Sequence, residues 1–342
     1  QITSYGLINM NDKAKRLEEL DEILFQNGLG CIYDFVEDRD NGLVQPFFGK
    51  YMDEVKKVGL EFCVTTHKGT RTGILYNQNL IFMSYGLFDR LCKLSLLIHS
   101  SGVLNGKSKS FKFVDLHLVD NPFVGFNPDE QRKESESDSH LLLFIFDCLL
   151  SFVVYHEVGH YVNMHGNREK ISDDIEGHRK IDKNTDRKTL IESHARELVA
   201  DNYAFRSLRK CIEVPIKNSN PIIEELLPEL KSEKGAILLA LLFVACYFKL
   251  MDGNSPNSHF ESTHPESAIR VHSIFATFLE PHMDKNEMES YAQLLPLSIT
   301  LLKDVFIHKD GAFDFNWQGR ATTPEMMQWH SEICSEYANW CA

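Results

Sequence analysis

Apolar positions recur along this chain with two different periods. Leu17, Leu20, Ile23 and Leu24 follow helical spacing with charges between them, so 11–27 reads as an amphipathic helix closed by Gly28-Leu29-Gly30. Beyond Gly59 the pattern shortens. Glu61–His67, Thr72–Tyr76 and Asn79–Ser84 are β-type runs, and Lys68-Gly69 is a turn between the first two. Gly86-Leu-Phe-Asp opens a helix to about His99, and alternation over Phe111–Val119 predicts a fourth strand. Asn121–His140, rich in Pro, Asp, Glu and Ser, reads as a loop. The long apolar run Leu141–Tyr155 then predicts a buried helix, and the charged stretch His165–Thr189 a surface excursion. Further helices are expected over Thr189–Lys210, Ile222–Leu230, Gly235–Leu250 and Glu266–Phe278. Asp252–Pro265 is read as a loop, and the tail from Tyr291 as mostly helical. A small early sheet followed by helices is an α+β pattern, mostly α.

Composition narrows the class. The chain has 342 residues, 43% apolar and 25% charged, which suits a globular protein with a sizeable core. A net charge of -13 argues against a nucleic-acid surface and would steer basic substrates if it steers any. Leu141–Tyr155 contains Asp147, and Ala236–Phe248 offers 13 uncharged residues before Lys249. A membrane span needs about 20 apolar residues, so both read as core helices and no integral span is expected. No secretory leader pattern stands at the start. The eight cysteines are scattered without a C-x-x-C pair. A reduced, cytoplasmic protein is the simpler expectation, with a Cys334–Cys341 disulfide or zinc pair as the alternative. Trp317, Trp329 and Trp340, with Phe313 and Phe315, make an aromatic tail expected to serve packing.

Candidate chemistry centres on His156-Glu157-Val158-Gly159-His160. Residues four apart share a helix face, so the two imidazoles can bind one metal ion. The glutamate between them can take a proton from metal-bound water. A catalytic zinc needs a third protein ligand. The metzincin continuation is excluded, because Asn163 stands where its Gly belongs and Gly166 where its His belongs. His165 lies nine positions after His156, and a continued helix would turn it about 180° away. Glu197 in Glu197-Leu-Val-Ala-Asp201 is the better candidate, and Asp201 on the same face could hold a ligand imidazole's free nitrogen. Glu192 and His194 remain the alternatives on that helix.

HEVGH, then ELVAD, then Thr263-His264-Pro265-Glu266-Ser267-Ala268-Ile269-Arg270, in this order, resembles the HtpX and CAAX prenyl protease family of gluzincin metallopeptidases. Leu80–Leu87 also resembles the strand and GL turn that precede their metal helix. The resemblance covers about Asn79 to Arg270. It implies a zincin-like fold with one zinc on His156, His160 and Glu197, and Glu157 as general base. It further implies Asp201 behind the ligands, His264 at the oxyanion and Arg270 supporting that segment. Two departures stand out: the membrane-bound members have true spans, and a charged stretch separates HEVGH from ELVAD here. A looser resemblance, on the metal helix alone, is to phage-exclusion peptidases of the Lit type, which cleave a host protein.

The expectation is a cytoplasmic zinc endopeptidase acting on a peptide or protein and forming one domain over 1–342. Its catalytic core would be 79–270, with helical extensions at 1–60 and 271–342. A substrate strand would add to the edge of the small sheet, with Leu80–Ser84 as the suggested place. The alternatives are a latent or partner-specific regulatory zinc protein, or a non-enzymatic metal-binding protein.

Overall fold

The computed structural model describes residues 5–33, 45–108, 136–168, 186–252, 262, 264–279, 284–311, 313 and 316–342. Three short strands form one mixed sheet: β1 (Glu61–Thr65), β2 (Thr72–Leu75) and β3 (Leu80–Ser84), in the order β1-β3-β2. β1 runs parallel to β3, with Phe62 opposite Ile81, and β2 runs antiparallel, with Ile74 opposite the same residue. β3 is buried along its whole length, which is why it reads as an unbroken apolar run, Leu-Ile-Phe-Met. One face of the sheet, Cys63, Leu75, Leu80 and Phe82, is covered by Leu20 and Leu24 of α1 (Tyr5–Gln26). The other face, Phe62, Val64, Ile74, Ile81 and Met83, joins the main core together with Phe48, Tyr51 and Val55 of α2 (Gln45–Lys56).

The central position of β3 corrects one expectation. Leu80–Ser84 is paired on both sides, so no substrate strand can add beside it. The expected fourth strand at 111–119 lies outside the described residues.

Ser84 converts the sheet into the next helix, α3 (Tyr85–Ser101). Its hydroxyl accepts from Leu87 N at the helix start and from Arg71 N, and donates to Gly69 O at 2.5 Å. Gly86 must be glycine here, because a Cβ would sit 2.1 Å from Lys68 O. The loop before β2 is thereby clamped onto the start of α3.

The main core is helical. α4 (Glu136–Val162) packs along α6 (Arg187–Lys217) and against α3, with the short α5 (His165–Arg168) between them in sequence. α7 (Glu233–Met251), nearly all apolar, is surrounded by α6, α8 (Ser267–Leu279) and α10 (Leu294–Asp310). α9 (Lys285–Ala292) leads into α10, and α11 (Asn316–Ala321) into α12 (Pro324–Trp340), which lies along α6. By length and composition His140–Val162 and Glu233–Met251 could each cross a membrane, yet 78% and 72% of their most apolar stretches lie inside this fold. All eight cysteines are thiols, including Cys334 and Cys341.

Two helix expectations shift for physical reasons. α4 begins at Glu136, inside the stretch read as a loop, because a helix carried by an apolar run extends cheaply through polar residues. Ile222–Leu230 is not an α-helix but two 3-10 turns, Pro221–Ile223 and Pro228–Leu230. Pro228 lacks an amide donor and disfavours helical backbone before it.

Candidate metal centre and cleft

The site forms where α4 crosses α6. Gly159 lies at the crossing, where a Cβ would stand 3.0 Å from Ala200 Cα and 3.1 Å from Ala200 O. A bare backbone on α4 against a small residue on α6 lets the helices approach closely. Glu197, one turn before the contact, then reaches the two imidazoles, which stand one turn apart on α4. Nε2 of His156 and Nε2 of His160 are 3.1 Å apart. Glu197 Oε2 lies 3.4 Å from the first and Oε1 3.5 Å from the second. Each of the three residues offers one ligand atom, all within 4.8 Å of one another, so the cluster could hold a metal ion.

The chemistry of this donor set fits a divalent cation. His156 Nδ1 lies 3.0 Å from Asp201 Oδ1, off the line of a well-directed hydrogen bond, but the carboxylate only accepts and its charge favours the proton of a neutral ring on that nitrogen. Its Nε2 then presents a lone pair to Glu197. A neutral His156 therefore brings a lone pair and a carboxylate to one point, and the site needs a cation or a proton there. Burial alone would lower the His156 pKa, but Asp201 and Glu197 together lift it to about 10. That is how a site stabilising positive charge behaves. Burial likewise opposes ionisation of Glu197, yet His264, His156 and His160 keep it well below the usual carboxylate range.

Asp201 has its own counter-ion. Arg270 Nε donates to Oδ2 and Nη2 to Oδ1, both at 2.7 Å, and Nη2 also reaches Glu197 Oε2 at 3.2 Å. Burial opposes the Asp201 charge as well, and Arg270 overcomes it, leaving the pKa lowered. The Arg270 guanidinium lies 4.4 Å from the Phe248 ring centroid. The Arg270–Asp201–His156 chain thus orients one motif imidazole.

The other imidazole is backed differently. His160 Nδ1 lies 2.8 Å from His165 Nδ1, and His165 Nε2 lies 3.1 Å from the Trp340 carbonyl oxygen. The ring of His165 is buried, and burial with the neighbouring His160 lowers its pKa to about 2. His165 is therefore beside a candidate ligand and not on the far side of the helix. The reason is a turn: α4 stops at Val162, and Met164 takes a left-handed conformation, φ 56°. The chain reverses and returns His165 to the helix it has just left.

His264 stands at the mouth of the site, its side chain 34% exposed, with Nε2 3.4 Å from Glu197 Oε2. Burial lowers its pKa below the ordinary imidazole value, with Glu197 opposing. His194 serves structure. It donates from Nε2 to Ser262 O at 2.8 Å and accepts at Nδ1 from Trp329 Nε1 at 3.0 Å. It therefore ties the start of the His264 segment to α12. Glu192 is half-buried and pairs with Lys188 of its own helix, 3.6 Å from its Nζ. Two more links come from the tail. Arg320 of α11 lies 2.8 Å from Glu266 Oε1, and Trp317 Nε1 donates to Asp252. None of these tail partners carries a spacing signal, since each acts through tertiary position alone.

The cluster opens into a cleft of about 270 Å³, with Glu157 in its lining. Thr70, Arg71 and Thr72, at the start of β2, form one side, and Phe152, Tyr247 and Phe248 form an apolar wall. Of β2, Thr72 lies in the lining of the cleft. The cleft thus sets an apolar wall against convergent charged and polar groups.

No curated protein and no solved structure matches the chain. The profile of the Peptidase U49 family matches residues 124–294. That stretch is half of the chain, and it holds the crossing helices and the segment from His264 to Arg270, so the chain belongs to the Peptidase U49 family.

Proposed function

We propose that this peptidase is a zinc-dependent endopeptidase of the gluzincin type, resembling HtpX and the CAAX prenyl proteases in its site but not in a membrane-bound substrate. The observation that carries the reading is the convergence of His156, His160 and Glu197 at one point of a cleft that Glu157 also lines. His, His and Glu are a known catalytic zinc set, with the fourth position left to water. When bound, zinc would polarise the scissile carbonyl and bring the pKa of water toward 7. Glu157 takes the proton of the attacking water and passes it to the leaving amine. His264, facing the cleft, donates to the oxyanion, a contact worth a few kcal/mol in acyl transfer. Asp201 and Arg270 hold His156 and Glu197 in place. A peptide would lie along the β2 side, beside Thr70–Thr72, where main-chain pairing favours an extended substrate.

Glu157→Gln is the test. It should retain about one zinc per chain while hydrolysis of an unstructured protein falls by about 10²–10⁴-fold. Chelation should abolish wild-type activity and zinc should restore it. Undiminished hydrolysis in Glu157→Gln would reject the mechanism. A full complement of zinc without activity on any unstructured protein would favour a latent or partner-specific peptidase.

A further inference from the structure

We infer that His165 is a positioning residue for metal binding: it fixes the tautomer of His160 through a chain that ends on the main-chain carbonyl of Trp340. The inference rests on the metal-site reading above, but its geometry stands without an ion.

The direction of each hydrogen bond follows from the end of the chain. The Trp340 carbonyl can only accept. His165 Nε2, 3.1 Å away, must therefore carry the proton of its neutral ring. Its Nδ1 is then a lone pair. Two ring nitrogens 2.8 Å apart need one hydrogen between them, so His160 Nδ1 supplies it. A neutral His160 is left with its lone pair on Nε2, the atom that faces Glu197 and the Nε2 of His156 3.1 Å away, so a cation or a shared proton must lie between the two imidazoles. The opposite tautomer of His165 would put two N–H groups face to face, or move the His160 proton to the ligand atom.

The chain is built into the fold. Trp340 ends α12, and carbonyls in the last turn of a helix have no intrahelical donor, so this one is available. Its indole ring packs edge-on to His165 at 5.8 Å and under the Arg196 guanidinium at 5.0 Å. Ala342 N donates to Asn163 Oδ1 at 3.0 Å, and Asn163 Nδ2 donates to Gly159 O at 2.7 Å. The turn that delivers His165 and the end of α12 thus hold each other. Trp340 lies beyond residues 124–294, so a helix outside the family match completes the support of a ligand inside it.

The experiment has two arms. In ¹⁵N-histidine-labelled protein, metal-free and zinc-loaded, long-range ¹H–¹⁵N correlations should show His165 with a single proton, on Nε2. A proton on Nδ1, or on both nitrogens, overturns the inference. Zinc affinity is then measured by chelator competition for wild type, His165→Phe and His165→Gln. Phenylalanine fills the space but cannot accept, whereas the glutamine amide can accept from His160 and donate to Trp340. We expect a loss of about 10–100-fold for His165→Phe and near-wild-type affinity for His165→Gln. Equal affinities in the two variants would mean that His165 only packs, and would overturn the role. If His165→Phe does not fold, the tautomer in the wild type still decides. A wild type that binds no zinc overturns the metal-site reading itself and the role with it, whereas a zinc-binding wild type matched by His165→Phe overturns this inference alone.

Discussion

The two motif histidines meet at one point from backs of opposite character. His156 is held by a charged chain, Asp201 clamped in two places by Arg270. His160 is held by a neutral one, an imidazole and a main-chain carbonyl. The charged clamp comes from α6 and α8, inside the stretch that matches the family, and the neutral clamp ends on α12, outside it. The difference is energetic. Breaking a buried ion pair strands an uncompensated charge, whereas breaking a neutral hydrogen bond leaves one group undersatisfied. The first clamp should therefore govern stability and metal binding together, and the second chiefly metal binding.

The largest test of that contrast is Asp201→Ala. It takes the two-point partner from the buried Arg270 guanidinium, leaving it the single 3.2 Å contact to Glu197, and should cost up to about 3–5 kcal/mol of stability by urea denaturation, together with weaker zinc binding. The double variant Asp201→Ala/Arg270→Met should recover most of the stability but not the zinc affinity. Recovery of both would show that Asp201 does not orient His156.

Next comes the other neutral clamp, Trp329–His194–Ser262. Burial depresses the His194 pKa to about 4, so the unfolded chain binds its proton first as pH falls. The stability this neutral ring contributes is complete above pH 6.5 and is lost as pH drops toward 4, about 3 kcal/mol in all. The stability gap between wild type and His194→Gln should narrow over that window. A gap that stays constant would mean that His194 is not neutral in the fold.

Gly159→Ala acts on both sides at once. The added methyl meets the Ala200 backbone, which cannot yield as a side-chain tip can. A cost of about 1–3 kcal/mol in thermal unfolding is expected, with zinc weakened through the displaced Glu197. Zinc affinity unchanged despite lower stability would detach the helix crossing from the site. The smallest effect is at Met164, whose left-handed backbone is strained for any residue but glycine. Met164→Gly should stabilise the fold slightly, by less than about 1 kcal/mol, seen as a small rise in melting temperature, and leave zinc affinity unchanged. A lower melting temperature would show that its side chain supports the turn.

Much of this site is legible in the sequence, and the limits have physical causes. The spacing of His156 and His160 implies a shared helix face because helix geometry is local. Glu197 and Asp201 are legible as neighbours on one helix face, whereas the His264–Arg270 segment is legible only as a motif in a known order. His165 was misjudged by extending the helix, since a single left-handed residue ends that periodicity and nothing in the composition announces it. The strand expected to receive substrate is central because β1 and β2 both chose it, and a strand's neighbours are not written in its own residues. The role of the tail tryptophans was equally hidden. Trp329 and Trp340 read as packing, yet they hold His194 and His165 through an indole nitrogen and a carbonyl.

By itself the sequence determined the apolar helix that carries HEVGH, the strands of the small sheet, and the residue types able to bind a metal. These follow from periodicity and spacing, which act over a few residues. Only the tertiary structure decided which carboxylate meets the imidazoles, which group backs each of them, and which strand borders the cleft. Those outcomes depend on how closely α4 and α6 approach at Gly159 and on where α12 comes to rest. They are settled by contacts between residues as far apart as His165 and Trp340, which no local pattern encodes.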